Sequence, residues 1–407
     1  MPNSLILKFE NLSRPVKLTN CANLIDHFPL IFSGWNVSEL AATNQEPIIT
    51  ISRDSDDAFY VNAEWMESPL KYTDEVDTIC GLVAKLIRAW IMDDMNLLCL
   101  HGAAAEFGGA LVVFPNKYRA GKSVLSACIA AAGYKLFSDD ILPISLANGE
   151  GIAPGIAPRL RSPYPDNLSD STRDFIDSRA ALKGARYHYL DLRGEALAPR
   201  NSRSPIGAFV FLERSEGVKA SLEPISESEV LRQVVWQNFA REVDAPSILG
   251  RLGQIVNEAQ RFLMRYDRAD DAVELLTETF RVQDTNEIKA AQQNLKTKEW
   301  EDVTIDIPAG HLLRKTGISE ISADHNSFLA NDSGTAIHQL NPVGSAIWNL
   351  LSEPMTTDQI VGILLTAFPE VEPAQVETDV RNLLNGLDAK KLLIHGPSLS
   401  EQAEPAK

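Results

Sequence analysis

A short loop at residues 116–123 combines a glycine, a lysine and a serine in the order that binds nucleotide phosphates. It follows the apolar run Ala110–Phe114 and opens an alanine-rich stretch at Lys122–Ala132, which predicts a strand, a loop and a helix. In the G-x-x-x-x-G-K-[ST] pattern, backbone N–H groups surround the phosphates, the lysine reaches the β- and γ-phosphates, and the Ser123 hydroxyl binds Mg²⁺. The predicted nucleotide-binding residues are Asn116, Lys117, Tyr118, Arg119, Ala120, Gly121, Lys122, Ser123 and Val124.

The loop departs from this pattern at its first position, where Asn116 replaces glycine. Asparagine is one of the few other residues that tolerate a positive φ, so the turn is still compatible with the sequence. Arg119 adds bulk and charge within the loop. A chance Gly-Lys-Ser at a helix start is the competing interpretation, and the flanking strand and helix argue against it.

Three further polar residues flank the loop. Asp139 and Asp140 follow the short apolar run Lys135–Phe137, and His101 follows the apolar run Leu97–Leu100. An aspartate at a strand end can hold Mg²⁺ through its oxygens or accept a proton from an attacking hydroxyl. Taken alone, two adjacent acids are more often a turn or a helix cap, and a lone histidine is more often structural.

Together these residues resemble the catalytic domain of HPr serine kinase. That family has His-Gly, a P-loop and Ala-Asp-Asp within one short stretch, and His101-Gly102, Gly121-Lys122-Ser123 and Ser138-Asp139-Asp140 have the same intervals here. The resemblance implies a P-loop α/β core that uses ATP and Mg²⁺. It also implies roles: Asp139 as general base, Asp140 and Ser123 as metal ligands, Lys122 on the phosphates, and His101 positioning the acceptor or the transferred phosphate.

Two further charged segments follow the acids in the sequence, and each can be either part of the site or an ordinary surface loop. Leu190-Asp191-Leu192-Arg193-Gly194 resembles an acidic-x-Arg-Gly element of the same family, although its spacing from the acids differs. Arg159 and Arg161 either meet a phosphate or substrate, or belong to a solvated basic loop. Both segments lie in residues 150–205, which are rich in Pro, Gly and Arg and predict long surface loops.

The chain is long enough for two or three domains that position these residues. We predict a small α/β region at 1–95, an α/β P-loop domain at 96–282 whose residues 226–282 are mostly helical, and a polar linker at 283–307. A compact unit follows at 308–395, with strands around 327–329 and 335–340 and three helices after them. The tail 396–407 is predicted to be disordered.

Composition excludes several classes of function. The formal net charge of −17 argues against nucleic acid as the main partner, because phosphate binding needs a basic surface. No apolar run reaches the roughly 20 residues that span a bilayer. The charged start around Lys8 and Glu10 does not resemble a signal peptide, and the four cysteines form no paired-ligand pattern, so we expect a cytoplasmic protein without membrane association.

The unit at 308–395 resembles the PqqD-type domain, also called a RiPP recognition element. The residues that carry this resemblance are Phe328-Leu329, Asn331-Asp332, Leu340-Asn341, Gly344, Ala346-Ile347-Trp348, Thr356-Thr357, Ile360, Leu364, Val376, Asp379-Val380 and Leu383-Leu384. The resemblance implies a winged-helix fold in which a leader peptide adds as a strand to the hairpin edge and rests against the last helix. The implied peptide-binding residues are Thr335, Ala336, Ile337, His338, Gln339, Leu340, Val376, Val380, Leu383 and Leu384, whereas Trp348 belongs to the core.

DNA binding is the alternative function of a winged helix. Acidic residues such as Glu377 and Asp379 dominate the last helix, and phosphate would repel them. Three hypotheses of function remain: a kinase that phosphorylates Ser or Thr of a precursor peptide held by its leader, a nucleotide-binding module that delivers a peptide without phosphorylating it, and a kinase with a small-molecule acceptor. Residues 1–95 carry no chemical signal, and the oligomeric state stays undetermined.

Overall fold

The computed structural model describes residues 4–41, 43–115, 120–238, 245–293, 306–331 and 336–397. The chain divides into two compact units, one comprising 1–241 and 254–294, the other 242–253 and 295–407. The predicted boundary at 95/96 lies within the first unit, and its separation into independent domains stays a prediction. None of the helices in the described ranges combines the length and apolar character needed to cross a membrane.

The first unit begins with a six-stranded sheet in the order β3-β1-β2-β4-β5-β6, in which the β2/β4 pair is parallel. Its elements are β1 (Ser4–Phe9), β2 (Val16–Thr19), α1 (Phe28–Ile31), β3 (Val37–Glu39), β4 (Ile49–Arg53), β5 (Phe59–Ala63), β6 (Leu70–Tyr72) and α2 (Glu75–Asp93). Helix α2 starts where the Asp74 carboxylate accepts the N–H groups of Val76 and Asp77. Its apolar face, which includes Ile79, Leu82 and Leu86, is buried.

The rest of the first unit contains the strand and the helix that were predicted to flank the phosphate-binding motif. Its elements are β7 (Leu97–His101), β8 (Ala103–Phe107), β9 (Ala110–Phe114), α3 (Lys122–Ala131), β10 (Lys135–Ser138), β11 (Ile141–Ser145), β12 (Gly151–Ile152), β13 (Arg159–Arg161), α4 (Asp170–Arg179), β14 (Ala180–Lys183), β15 (Tyr187–Leu190), β16 (Arg203–Ser204), β17 (Ile206–Arg214), β18 (Ser221–Pro224), α5 (Glu227–Gln237), α6 (Ala245–Glu258), β19 (Gln260–Tyr266), α7 (Ala269–Thr279) and α8 (Thr285–Gln293). Residues 245–253 of α6 are assigned to the second unit.

Three sheets organise these elements. The largest has the order β10-β8-β9-β17-β19-β18, in which β9, β17 and β19 are parallel. All five residues of β9 and the first seven of β17 are buried, as expected for strands covered on both faces. A four-stranded sheet has the order β16-β12-β11-β7, and a three-stranded sheet has the order β13-β15-β14.

Residues 226–282 are mostly helical, as predicted, although strand β19 lies among their helices and pairs in parallel with β17. Two other expectations about secondary structure were wrong. Residues 150–205 contain α4 and five short strands, and side chains such as Leu160 and Ile176 are buried. The predicted linker includes helix α8, whose start is fixed by Asp284, which accepts the N–H groups of Asn286 and Glu287.

The second unit has three helices, as predicted, and two of its five described strands, Asn326–Ala330 and His338–Leu340, overlap the predicted strand regions 327–329 and 335–340. Its elements are β20 (Leu312–Arg314), β21 (Ser319–Ala323), β22 (Asn326–Ala330), β23 (His338–Leu340), α9 (Pro342–Leu350), α10 (Thr357–Ala367), α11 (Pro373–Ala389) and β24 (Leu393–His395). Strands β21, β22 and β23 form an antiparallel sheet, and β20 pairs with β24. The Asn341 side chain caps α9, and Thr356 with Gln359 forms a capping box at α10. The predicted tail beyond residue 397 lies outside the described residues.

Candidate functional site

The predicted phosphate-binding loop lies between β9 and α3. Asn116, Lys117, Tyr118 and Arg119 are outside the described residues, so the structure describes the second half of the motif. Gly121 immediately precedes α3 with φ of +92°, a backbone conformation that favours glycine. A Cβ added to Gly121 would lie 2.7 Å from the Tyr266 hydroxyl oxygen, so space as well as backbone conformation selects glycine.

The first turn of α3 carries the lysine of the motif. Lys122 is 7% exposed, whereas Ser123 and Val124 are half-buried. Burial lowers the pKa of Lys122, and the negative charges of Asp140 and Asp139 oppose that shift. The lysine and the two acids are therefore close enough to interact electrostatically, although they are separated along the sequence.

The two acids lie in the short turn between β10 and β11. The Ser138 hydroxyl donates a 2.6 Å hydrogen bond to the Ile141 carbonyl and accepts the N–H groups of Asp140 and Ile141. Ile141 is paired with His101 in the antiparallel register of β11 and β7, and Gly102 N–H donates to the Asp140 carbonyl over 2.8 Å. This turn and this register bring the histidine beside the acids.

Both carboxylate oxygens of Asp140 have close partners. His101 Nε2 lies 2.8 Å from Oδ1, and Arg159 Nη2 donates to Oδ2 over 2.8 Å. Burial alone would raise the pKa of Asp140, but the hydrogen bond to His101 and the charge of Arg159 lower it below its ordinary value. Asp140 is therefore held as a charged carboxylate that links the histidine to the arginine.

Asp139 has a different environment. Its side chain is buried, and its Oδ2 accepts the backbone N–H of Arg159 over 3.0 Å. Burial and the neighbouring charge of Asp140 raise the pKa of Asp139 to about 6. Two adjacent carboxyl groups with pKa values shifted in opposite directions are suited to different roles, one as a proton acceptor and one as a fixed charge.

Arg159 is the site residue that the sequence left undecided. Its side chain is 27% exposed, and its pKa is raised because the favourable charge of Asp140 outweighs the effect of burial. The alternation Arg159-Leu160-Arg161 was the available signal, because Leu160 is buried and the two arginines flank it on one short strand. The contact of Arg159 with the two acids depends on residues that are distant in the sequence, and this local pattern does not encode such contacts.

A cavity of about 30 Å³ borders the same acids and is lined in part by Cys80, Asp139, Arg159 and Tyr189. That volume suits about one water molecule, so the cavity is too small for a nucleotide. Asp191 and Arg193, the other segment considered from the sequence, pair with each other at 2.7 Å. Arg193 also donates to the carbonyl of Pro29, and these contacts do not link the segment to the acid pair.

Metal binding at this site depends on oxygen ligands. Within the described ranges, no three side chains of the His, Cys, Asp and Glu types converge on a metal position. Mg²⁺ bound with nucleotide phosphates needs only one or two carboxylates, and the Ser123 hydroxyl and aspartate oxygens are ligands of the right class. The residues therefore fit the predicted ion, because each Asp140 oxygen accepts one hydrogen bond from His101 or Arg159 and keeps a second lone pair for a metal.

The second candidate site is the edge of the three-stranded sheet in the second unit. Strand β23 is the last strand of that sheet, Gln339 is exposed, and Ala336 and Ile337 precede it. Thr335 lies outside the described residues. The predicted strand edge is therefore shorter than expected and covers His338–Leu340, with Leu340 buried in the core.

The predicted groove wall on α11 needs a correction. Val376, Val380 and Leu384 are buried in the hydrophobic core of the second unit, and Leu383 is half-buried. Helical spacing places the first three on the inner face of α11, so only Leu383 among the four is available to a ligand in this conformation. Trp348 is 1% exposed and belongs to the core, as predicted.

Comparisons with known proteins give matches to part of the second unit. The family described as "Coenzyme PQQ synthesis protein D (PqqD)" matches residues 326–393. A solved structure described as "TbiB1 in Complex with the TbiA(beta) Leader Peptide" is 28% identical over 20% of this chain and 93% of that chain, with a TM-score of 0.19. The comparison with curated proteins gives no match. Residues 326–393 therefore form a PqqD-type domain.

Proposed function

We propose that this protein is an ATP-dependent kinase that phosphorylates a Ser or Thr of a ribosomally made precursor peptide. The PqqD-type domain captures the peptide through its leader, and the first unit transfers the phosphoryl group. The observation that carries the proposal is that Asp139 and Asp140 lie in one short turn and both interact electrostatically with Lys122 at the start of α3. Asp139 is buried, and both oxygens of Asp140 have partners at 2.8 Å, which is consistent with the opposite pKa shifts of the two acids.

The residues of the site match the needs of phosphoryl transfer, which depends mainly on alignment and on charge stabilisation. Asp139, with a pKa of about 6, is largely ionised at neutral pH and can accept the proton of an acceptor hydroxyl. The acceptor oxygen then bonds to the γ-phosphorus of ATP, the bond from that phosphorus to the leaving ADP oxygen breaks, and the proton stays on Asp139.

Charge stabilisation comes from groups that already face the acids. Lys122 is placed to contact the β- and γ-phosphates, because the motif puts it in the first turn of α3. Mg²⁺, when bound, would supply further neutralisation of the phosphates through Ser123 and an aspartate. His101 and Arg159 hold Asp140 from both sides and keep the acid pair in one orientation.

The PqqD-type domain supports a peptide acceptor. In the mode implied by the resemblance, the leader adds as a strand beside β23, where main-chain hydrogen bonds give affinity and side-chain contacts give selectivity. The half-buried Leu383 on α11 is suited to such a side-chain contact. Capture by the leader would raise the local concentration of the acceptor to the order of millimolar if a flexible tether joins the two events.

The test is incubation of the protein with ATP, Mg²⁺ and the precursor peptide encoded beside its gene. We expect phosphate on a Ser or Thr, detected by mass spectrometry, and its loss in Lys122→Ala and Asp139→Ala. Unchanged phosphorylation in both variants would overturn the site assignment. A deletion of residues 308–407 separates peptide from small-molecule acceptors, because a small-molecule kinase should remain active without the second unit.

A nucleotide-binding delivery module is the second candidate function. Its support is that both oxygens of Asp140 already have protein partners, so the charge of that acid is balanced without a metal. In that case the protein would bind ADP and the leader but would leave every peptide unmodified. Nucleotide binding that depends on Lys122 without any phosphate transfer would favour this function.

A further inference from the structure

Three arginine side chains surround one tyrosine ring next to the acid pair. The guanidinium carbons of Arg159, Arg161 and Arg186 lie 5.2, 5.3 and 5.5 Å from the centre of the Tyr187 ring. Arg161 Nη2 also donates a 2.9 Å hydrogen bond to the Tyr187 hydroxyl. We call these four residues the arginine cluster.

Strand pairing builds the cluster. Strands β13 and β15 are antiparallel, and their register places Arg161 opposite Tyr187 and Arg159 opposite Tyr189. Alternation along β13 puts Arg159 and Arg161 on one face, while Leu160 between them is buried on the other. Arg186 directly precedes β15 and approaches the same ring.

The cluster leads from the acid pair towards solvent. Arg159, at its inner end, is 27% exposed and pairs with Asp140, whereas Arg186, at its outer end, is 61% exposed. Arg186 Nη1 lies 3.7 Å from Asp77 Oδ2, which is a long ion pair for an exposed arginine. Arg186 therefore retains the capacity to bind an incoming anion.

Like charges around one ring repel each other, and cation–π attraction to Tyr187 offsets that repulsion only in part. The cluster contrasts with a chain whose net charge is −17. Guanidinium groups bind carboxylates through paired N–H donors, which suits one or a few acidic side chains. Nucleic acid is a poorer match, because it needs a longer basic track than three arginines supply.

We propose that the arginine cluster binds acidic side chains next to the acceptor hydroxyl of the peptide, and thereby selects acceptors in an acidic context. The identification of that segment as an acceptor rests on the proposed kinase function, but the binding of an acidic peptide does not. The acidic surface of the protein repels an acidic peptide only weakly at distances beyond the Debye length, because dissolved ions screen the charges. That length is about 8 Å at physiological ionic strength. Close contact with the cluster therefore decides the preference.

The test uses two fluorescein-labelled peptides, one with a serine flanked by glutamates and one with glutamines in place of the glutamates. We expect the full chain to bind the glutamate peptide about tenfold more tightly than the glutamine peptide, as measured by fluorescence anisotropy. A preference of this size is what hydrogen bonds between charged groups typically contribute to affinity. Arg161→Gln combined with Arg186→Gln should reduce that preference to less than about threefold. The matched control is Arg232→Gln, which removes another partly exposed arginine, one that pairs with Glu229 on α5.

Two further measurements keep the proposal falsifiable. Arg186→Gln alone changes a 61% exposed side chain and should keep the fold, yet lower the preference by about threefold. A fluorescent ADP analogue should bind the double variant as well as the parent protein. Equal affinity of the parent for both peptides would overturn the proposal, and a parallel loss of ADP binding would assign the cluster to nucleotide phosphates instead.

Different results would contradict the proposed kinase function and the proposed binding of acidic peptides by the arginine cluster. A preference for the glutamate peptide without phosphate transfer would leave the cluster as an acidic-peptide site on a delivery protein. Phosphate transfer to both peptides at equal rates and affinities would keep the kinase and overturn the inference.

Discussion

The Arg159 guanidinium lies 2.8 Å from Asp140 Oδ2, while its backbone N–H donates to the neighbouring Asp139. One residue thus contacts both acids, through its side chain and its main chain. His101 completes the arrangement on the other oxygen of Asp140.

Arg159→Gln should lower kcat by about 10- to 100-fold with little change in the KM for ATP, because Arg159 positions the acids and does not form the loop. Loss of its charge should also raise the pKa of both carboxyl groups, so the acidic limb of the pH–rate profile should move to higher pH. Arg159→Lys should restore part of the rate. An unchanged pH profile in Arg159→Gln would exclude this positioning role.

Asp139→Asn should abolish phosphate transfer but stabilise the protein at neutral pH. Burial raises the pKa of Asp139 from 3.8 to about 6, so ionising it costs folding free energy as the pH rises through that window. Asparagine avoids this cost. The variant should therefore have the higher Tm at pH 7, and thermal scans at several pH values should show the difference vanishing near pH 4. A lower Tm at pH 7 would contradict the raised pKa.

The wild-type activity should depend on the same group. A general base with a pKa of about 6 predicts that kcat/KM falls tenfold for each pH unit well below 6. The measurement is a pH–rate profile with the precursor peptide. A flat profile between pH 5 and 7 would show that Asp139 does not act as the base in the free enzyme.

Gly121→Ala should remove nucleotide binding, whereas Gly133→Ala should not. Both glycines have a positive φ, of +92° and +86°, so alanine costs about 1–2 kcal/mol of folding stability at either position. Only at Gly121 would the new Cβ clash, lying 2.7 Å from the Tyr266 hydroxyl, while Gly133 has open space around it. Equilibrium binding of a fluorescent ADP analogue compares the two, and equal affinities would place the nucleotide away from α3.

Leu383→Glu should weaken leader binding by about tenfold or more, because it puts a charge on the one half-buried residue among the four of α11 that are predicted to contact the leader. Ile363→Glu is the matched control, since Ile363 is a 42% exposed residue on α10. Isothermal titration with the leader segment of the precursor peptide would compare them. Equal losses in both variants would indicate a general effect on the domain.

Glu320→Ala should destabilise the second unit by about 1–3 kcal/mol, the usual cost of leaving buried donors unpaired. Glu320 accepts a 3.0 Å hydrogen bond from Trp348 Nε1 and pairs with Arg314 at 3.4 Å. Hydrogen exchange in α9 should become faster in the variant. The exposed Glu353→Ala serves as control, and equal exchange rates in the two variants would mean that the network contributes little.

Local patterns in the sequence predicted a large part of this structure. The apolar run Ala110–Phe114 is β9 at the same residues, and the alanine-rich stretch after it is α3, because both signals are contained in a few adjacent positions. The three helices of the second unit and two of its strands, β22 and β23, were also predicted, whereas β20, β21 and β24 were not. Strand β19 was missed because its seven residues, Gln260–Tyr266, include three polar ones and lie between two amphipathic helices.

The sequence by itself determined the loop with its lysine, the acid pair, and the PqqD-type domain, since each depends on residue types at short spacing. The tertiary structure decided how the acids differ and what surrounds them. Asp139 and Asp140 are adjacent in the chain, yet burial raises one pKa while His101 and Arg159 lower the other. Hydrogen bonds between separate sheets hold Arg159 at the acids, and the pairing of β13 with β15 places Arg161 beside Tyr187. Helix packing buries Val376, Val380 and Leu384 in the core and so removes them from the predicted groove. Electrostatic environment and burial arise from long-range contacts, which residue spacing does not encode.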